Sequence, residues 1–98
     1  MDVEFADKQW DRLEIELNFN AGFAREIVRA FRKLIQIIRS APDERTFYAM
    51  NSLHFEKLKG NRDHQRSMRL NDKWRLIVEI MPSQPKNVVL VVGIEDYH

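Results

Sequence analysis

The chain contains no cysteine. That absence excludes disulfide staples, thiolate metal sites and cysteine nucleophiles together. Glycine and proline are scarce, three of each. There is no glycine-rich phosphate loop and no Gly-x-Ser-x-Gly elbow, which removes two common enzyme classes. No apolar run approaches the roughly 20 residues that span a bilayer. The opening Met1-Asp2-Val3-Glu4-Phe5 is acidic and lacks a signal-peptide pattern, so a cytoplasmic protein without membrane contact is expected. His54, His64 and His98 are scattered without ligand spacing, so neither a metal nor a cofactor is expected. Repeats, linkers and low-complexity tracts are also missing.

What remains is an ordinary globular composition, 44% hydrophobic and 32% charged, over 98 residues. One domain spanning 1–98 is expected, with most of the apolar residues in a single core. The net charge of +1 hides an uneven distribution. Residues 1–50 carry 8 basic and 9 acidic side chains, and residues 51–80 carry 7 basic and 4 acidic. The electropositive part is therefore 51–80, a distribution that most often marks a solvated face.

Val3 to Phe5 reads as a short strand. From Asp7 to Asn18 the apolar stripe Ala6, Trp10, Leu13 and Leu17 predicts a helix. Asn18 to Gly22 breaks it, with Asn20 expected as the N-cap of a second helix. That helix runs to Arg39, with Phe23, Ile27, Ala30, Phe31, Leu34, Ile37 and Ile38 on its buried face, and Ser40-Ala41-Pro42 ends it. Asp43 to Met50 fits either a helical turn or an extended segment. Thereafter the periodicity is two: Met68, Leu70, Trp74, Leu76, Val78 and Ile80 alternate with Ser67, Arg69, Arg75, Ile77 and Glu79. Val88 to Val92 is apolar on both faces and should be an interior strand. The expected fold is α+β, a helical hairpin packed on one face of a small, mostly antiparallel twisted sheet.

Parity sharpens the strand reading. If Met68, Leu70, Trp74 and Leu76 all face the helices, the intervening loop holds an odd number of residues. A three-residue loop, Asn71 to Lys73, places Arg69 directly opposite Arg75 on the outer face. Like charges opposed across a ladder repel, which is consistent either with an anion site or with side chains splayed into water. Lys59-Gly60 and Arg62 lie just upstream, where glycine permits a sharp turn. Asp96, Tyr97 and His98 bring three consecutive titratable side chains. A histidine beside fixed cations suits general acid–base cleavage of a phosphodiester, and in RNA the 2′-hydroxyl supplies the nucleophile. A frayed tail is the alternative.

The run Leu58-Lys59-Gly60, then Ser67-Met68-Arg69-Leu70-Asn71-Asp72-Lys73-Trp74-Arg75-Leu76, then Glu95-Asp96-Tyr97-His98 resembles the RelE/ParE toxin superfamily. The resemblance is nearest to its HigB, or plasmid-maintenance killer, branch. Two positions depart from the HigB pattern: Glu56 stands where a histidine is common, and His64-Gln65-Arg66 replaces a Gly-x-Trp.

The resemblance implies a type II toxin–antitoxin toxin, a metal-independent endonuclease of mRNA on the ribosome (an mRNA interferase). It implies that Lys59 and Arg75 stabilise the transition state and that Asp96 and His98 move protons. Arg69 would bind phosphate, with Arg62 and Arg66 adding RNA-binding charge and Tyr97 contacting the nucleotide. The implied partner is a HigA-like antitoxin with a helix-turn-helix fold. There are two rival readings: a ParE-like toxin that shares the fold but binds DNA gyrase without cleaving RNA, and so needs no Asp96-Tyr97-His98 set beside Lys59, and a non-catalytic RNA-binding module.

Overall fold

In the computed structural model, residues 1–96 of the 98 are described. A five-stranded mixed sheet carries three helices. The first strand, β1 (Asp2–Phe5), leads into α1 (Lys8–Ile15) and α2 (Arg25–Ser40), followed by the short α3 (Arg45–Ala49). Then come β2 (Glu56–Lys57), β3 (Gln65–Arg69), β4 (Trp74–Met81) and β5 (Val88–Asp96). The order across the sheet is β1-β5-β4-β3-β2, with β1 parallel to β5 and every other pair antiparallel. The α+β fold read from the sequence is the fold observed.

Trp10 and Leu13 of α1, Phe31, Leu34, Ile35 and Ile38 of α2, and Phe47 of α3 make the helical half of the core. Met68, Leu76, Val78, Val89 and Val91 supply the sheet half. The buried stripe of α2 is wider than the periodicity suggested, because Val28 and Ile35 are buried as well. The interior position of β5 between β1 and β4 agrees with its apolar run. The Asp43 to Met50 segment resolves as α3, entered through Asp43, whose carboxylate accepts the Arg45 amide at 2.9 Å.

The first helix is shorter than expected. Its N-cap is Asp7, whose carboxylate accepts the Gln9 amide, and it ends at Ile15. Leu17 therefore leaves the helical stripe and is 85% exposed, and Ala6 is exposed as well. The early stop has a partner in α2. The Arg32 guanidinium donates to the Leu13 carbonyl (2.9 Å) and the Glu16 carbonyl (2.7 Å), satisfying acceptors a helix end leaves open. Asn20 is not the N-cap of α2. It takes the Gly22 amide on its side chain at 2.8 Å, while Ala21 and Gly22 adopt positive φ (52° and 84°). Helix α2 starts only after this turn, capped by Ala24 without a side-chain hydrogen bond.

At the far end of α2 the Met1 ammonium donates to the carbonyls of Ile38, Arg39 and Ala41 (3.1, 2.9 and 2.6 Å). A positive charge at a helix C-terminus is favourable, and here it pins β1 to α2. The hairpin is also laced by the two-point Arg39–Glu14 pair at 2.7 and 2.8 Å, which raises the Arg39 pKa. Among the described residues no helix is long and apolar enough to cross a membrane.

Candidate functional site on the open sheet face

The β3–β4 hairpin has the register that parity required. Arg69 lies opposite Arg75, and the Leu70 amide bonds the Trp74 carbonyl at 3.0 Å. Asn71 shapes the loop by accepting the Lys73 and Trp74 amides on its side chain (2.9 and 2.8 Å). Since Leu76 and Val78 enter the core, Arg75 and Ile77 face the side of the sheet without helices.

β5 reaches the same face by an irregularity. Val78 pairs with Val91 but Ile77 pairs with Gly93, so Val92 is surplus and forms a bulge. Val91 is buried in the core, and strict alternation would send Glu95 to that side too. The bulge reverses the parity and sets Glu95 opposite Arg75. Trp10 packs over the bulge: a Cβ on Gly93 would lie 3.3 Å from the indole Cζ2.

These elements enclose a concavity of about 330 Å³ with buried Ser67 and Ile77 in its lining. Its charged lining consists of Arg62, Arg75, Glu56, Glu95 and Asp96. Arg62 arrives from the turn Gly60–Arg62, where Gly60 has φ +69°, and it donates to both Glu95 oxygens (2.9 and 2.7 Å) and to Gln65 Oε1 (2.9 Å). The Glu95 bonds raise the Arg62 pKa. Both partners stay over 40% exposed, so the pair is worth only about 0–1 kcal/mol and an incoming anion can displace Glu95 at little cost. Arg75 donates to the Asn71 carbonyl at 2.6 Å, which holds its guanidinium toward the loop. Asp96 sits across from Trp74, with Lys73 Nζ at 3.9 Å.

The structure thus brings Arg62, Arg75 and Asp96 of the expected residues together. Lys59 is exposed at the entry to the Gly60–Arg62 turn; its neighbour Leu58 lines the concavity and Lys59 does not. Arg69 turns away to pair with Asp72 at the loop. Arg66 bonds the Asp63 and Gln65 carbonyls, away from the concavity. The expectations for Tyr97 and His98 fall outside the described residues. Two lining carboxylates were not anticipated. Glu56 belongs to β2, a strand of two residues with no periodicity to read, and Glu95 is exposed to the site only through the bulge. Among the described residues no three His, Asp or Glu side chains group as a metal site.

Three helices on a five-stranded mixed sheet in this order make the fold of the RelE/YoeB-like toxins. Among solved structures, the chain is similar to the YoeB/ParE toxin from Agrobacterium tumefaciens, at TM-score 0.65 and 18% identity over 100% of both chains. It is also similar to the YoeB–YefM complex from Staphylococcus aureus, at TM-score 0.60 and 18% identity over 100% of this chain and 97% of that one. YafQ from E. coli matches at TM-score 0.50 and 12% identity, covering 94% of this chain and 90% of that one. No protein-family model matches the chain, and no curated protein matches it. At these identities the likeness concerns the fold, and it does not single out the HigB branch.

Proposed function

We propose that the chain is a toxin of a type II toxin–antitoxin pair, acting as a ribosome-dependent, metal-independent endonuclease of mRNA. On this reading residues 1–98 form a single toxin domain, which works in the cytoplasm and is restrained by a cognate antitoxin. A HigB-type toxin with a HigA-like partner is the finer form of the proposal. The observation that carries it is one concavity that combines a fixed guanidinium, Arg75, with the carboxylates of Glu56 and Asp96.

The chemistry follows from those groups. The RNA 2′-hydroxyl loses its proton as its oxygen attacks the adjacent phosphorus. The bond to the 5′-oxygen breaks, and that oxygen takes up a proton. Arg75, assisted by Lys59 from the entry to the Gly60–Arg62 turn, stabilises the extra charge on the phosphoryl oxygens. Arg62 accepts a phosphate in place of Glu95, and Arg66 and Arg69 hold the strand further out. Glu56, Asp96 and His98 are the proton carriers, and Tyr97 stacks on a splayed base.

The test is to map transcript 5′ ends in a ribosome-programmed translation reaction, comparing the wild type with Arg75→Ala and Lys59→Ala. Cuts made by the wild type and lost in Arg75→Ala support the reading. Wild-type cutting by both variants overturns the site. One observation favours the gyrase-binding reading instead: three carboxylates face two arginines in the concavity, an unusual balance for a surface that grips RNA. DNA breaks without transcript cleavage after induction would decide for it.

A further inference from the structure

A second concavity, of about 440 Å³, lies where α1 hands over to α2, on the helical side of the molecule. Phe19, Phe23 and Val28 give it apolar lining, and Arg25, Arg29 and Arg32 line it with charge. No carboxylate takes part. Arg32 is occupied by the carbonyls at the end of α1, whereas Arg25 and Arg29 make no hydrogen bond or ion pair among the described residues. They stand one helical turn apart, where like charges repel. At the rim is Leu17, 85% exposed, and nearby Ile15 is 67% exposed. Among the described residues these two and Tyr48 are the large hydrophobic side chains left in water.

We propose that this corner docks an acidic amphipathic segment of a partner protein, whose apolar residues cover Leu17 and the Phe19–Phe23 lining while its carboxylates meet Arg25 and Arg29. Charge complementarity selects an acidic ligand, and the rim selects a protein over a nucleic acid. Leucine and isoleucine gain from an apolar partner but offer a base no stacking face. The two rings that could stack are already engaged: the Arg12 guanidinium lies 3.9 Å from the Phe19 centroid, and Phe23 meets Trp74 edge-on at 5.4 Å. The proposal is independent of the nuclease reading, because the corner shares no residue with the open sheet face.

The test titrates the isotope-labelled full chain with a synthetic helical peptide that carries leucines along one stripe and glutamates flanking it. Amide shifts are expected within residues 15–32, weakening as salt rises. The double variant Arg25→Ala/Arg29→Ala should lower affinity about tenfold, the sum of two modest ion pairs. Leu17→Ser should lower it similarly, and its exposure means that the fold survives even if the double variant misfolds. A peptide with lysines in place of the glutamates should not bind. Equal binding of the lysine peptide, shifts confined to the open sheet face, or tighter binding of a single-stranded RNA oligonucleotide at residues 15–32 would each overturn the proposal.

Discussion

The open sheet face and the hairpin corner both hold arginines around an apolar floor, yet their charges are managed differently. On the sheet, Arg62 is paired with Glu95 from 33 residues away, and Arg75 is tethered to the Asn71 carbonyl of its own hairpin loop. At the corner, Arg25 and Arg29 are left to solvent with no carboxylate in the lining. Charges pinned by tertiary structure cost little reorganisation when a reaction needs them, which suits catalysis. Charges left loose on a helix suit recognition, where the partner supplies the counter-ion.

The largest test of this contrast is Arg75→Ala. Removing a preorganised donor should lower cleavage about 10³-fold, while the melting temperature moves by only a few degrees. An equal loss of stability would mean that the side chain serves the loop rather than the reaction. Glu56→Gln comes next, with an expected loss of about 10²-fold and the disappearance of one limb of the pH–rate profile. An unchanged profile would leave Asp96 and His98 as the proton carriers.

Gly93→Ala probes the support of the sheet face. The new methyl meets Trp10 at 3.3 Å and should cost about 1–3 kcal/mol, read in denaturant unfolding. Glu95→Gln should act in the opposite sense on binding. Freeing Arg62 should raise RNA affinity up to about fivefold and steepen its salt dependence, whereas a fall would show that Glu95 is needed to aim Arg62.

The smallest effect belongs to an ion pair outside both regions. Arg45, by side-chain and backbone hydrogen bonds, lowers the Asp43 pKa to about 2. A depressed carboxylate contributes stability above its ordinary range and loses it as pH falls through about 2. A carboxyl NMR titration of Asp43 should shift upward in Arg45→Ala.

How much of this was legible beforehand depended on periodicity. α2 and the β3–β4 hairpin follow strict repeats of 3.6 and 2, and the opposition of Arg69 and Arg75 came from parity alone. Leu17 continued a helical stripe in sequence, but the Arg32 contacts close α1 before it is reached. Asn20 has the right chemistry for a cap, and the positive φ values at Ala21 and Gly22 turn it to another use. Glu56 was noticed only as a departure from a pattern, since two residues of edge strand carry no periodic signal. Glu95 was unreadable as a site residue because one surplus residue, invisible in hydropathy, inverts the alternation ahead of it.

That surplus residue shows where chain length matters and where it does not. Deleting Val92 would close the bulge into a regular ladder, with Gly93 still opposite Ile77 and Glu95 still opposite Arg75, because Glu95 would then stand three positions beyond Val91 and so on the other face. A single-residue gap at 92 is therefore a neutral difference between related chains as far as this face is concerned. A gap at Ile94 would instead set Glu95 opposite Leu76 and turn it toward the core, so two chains of equal length can carry different surfaces.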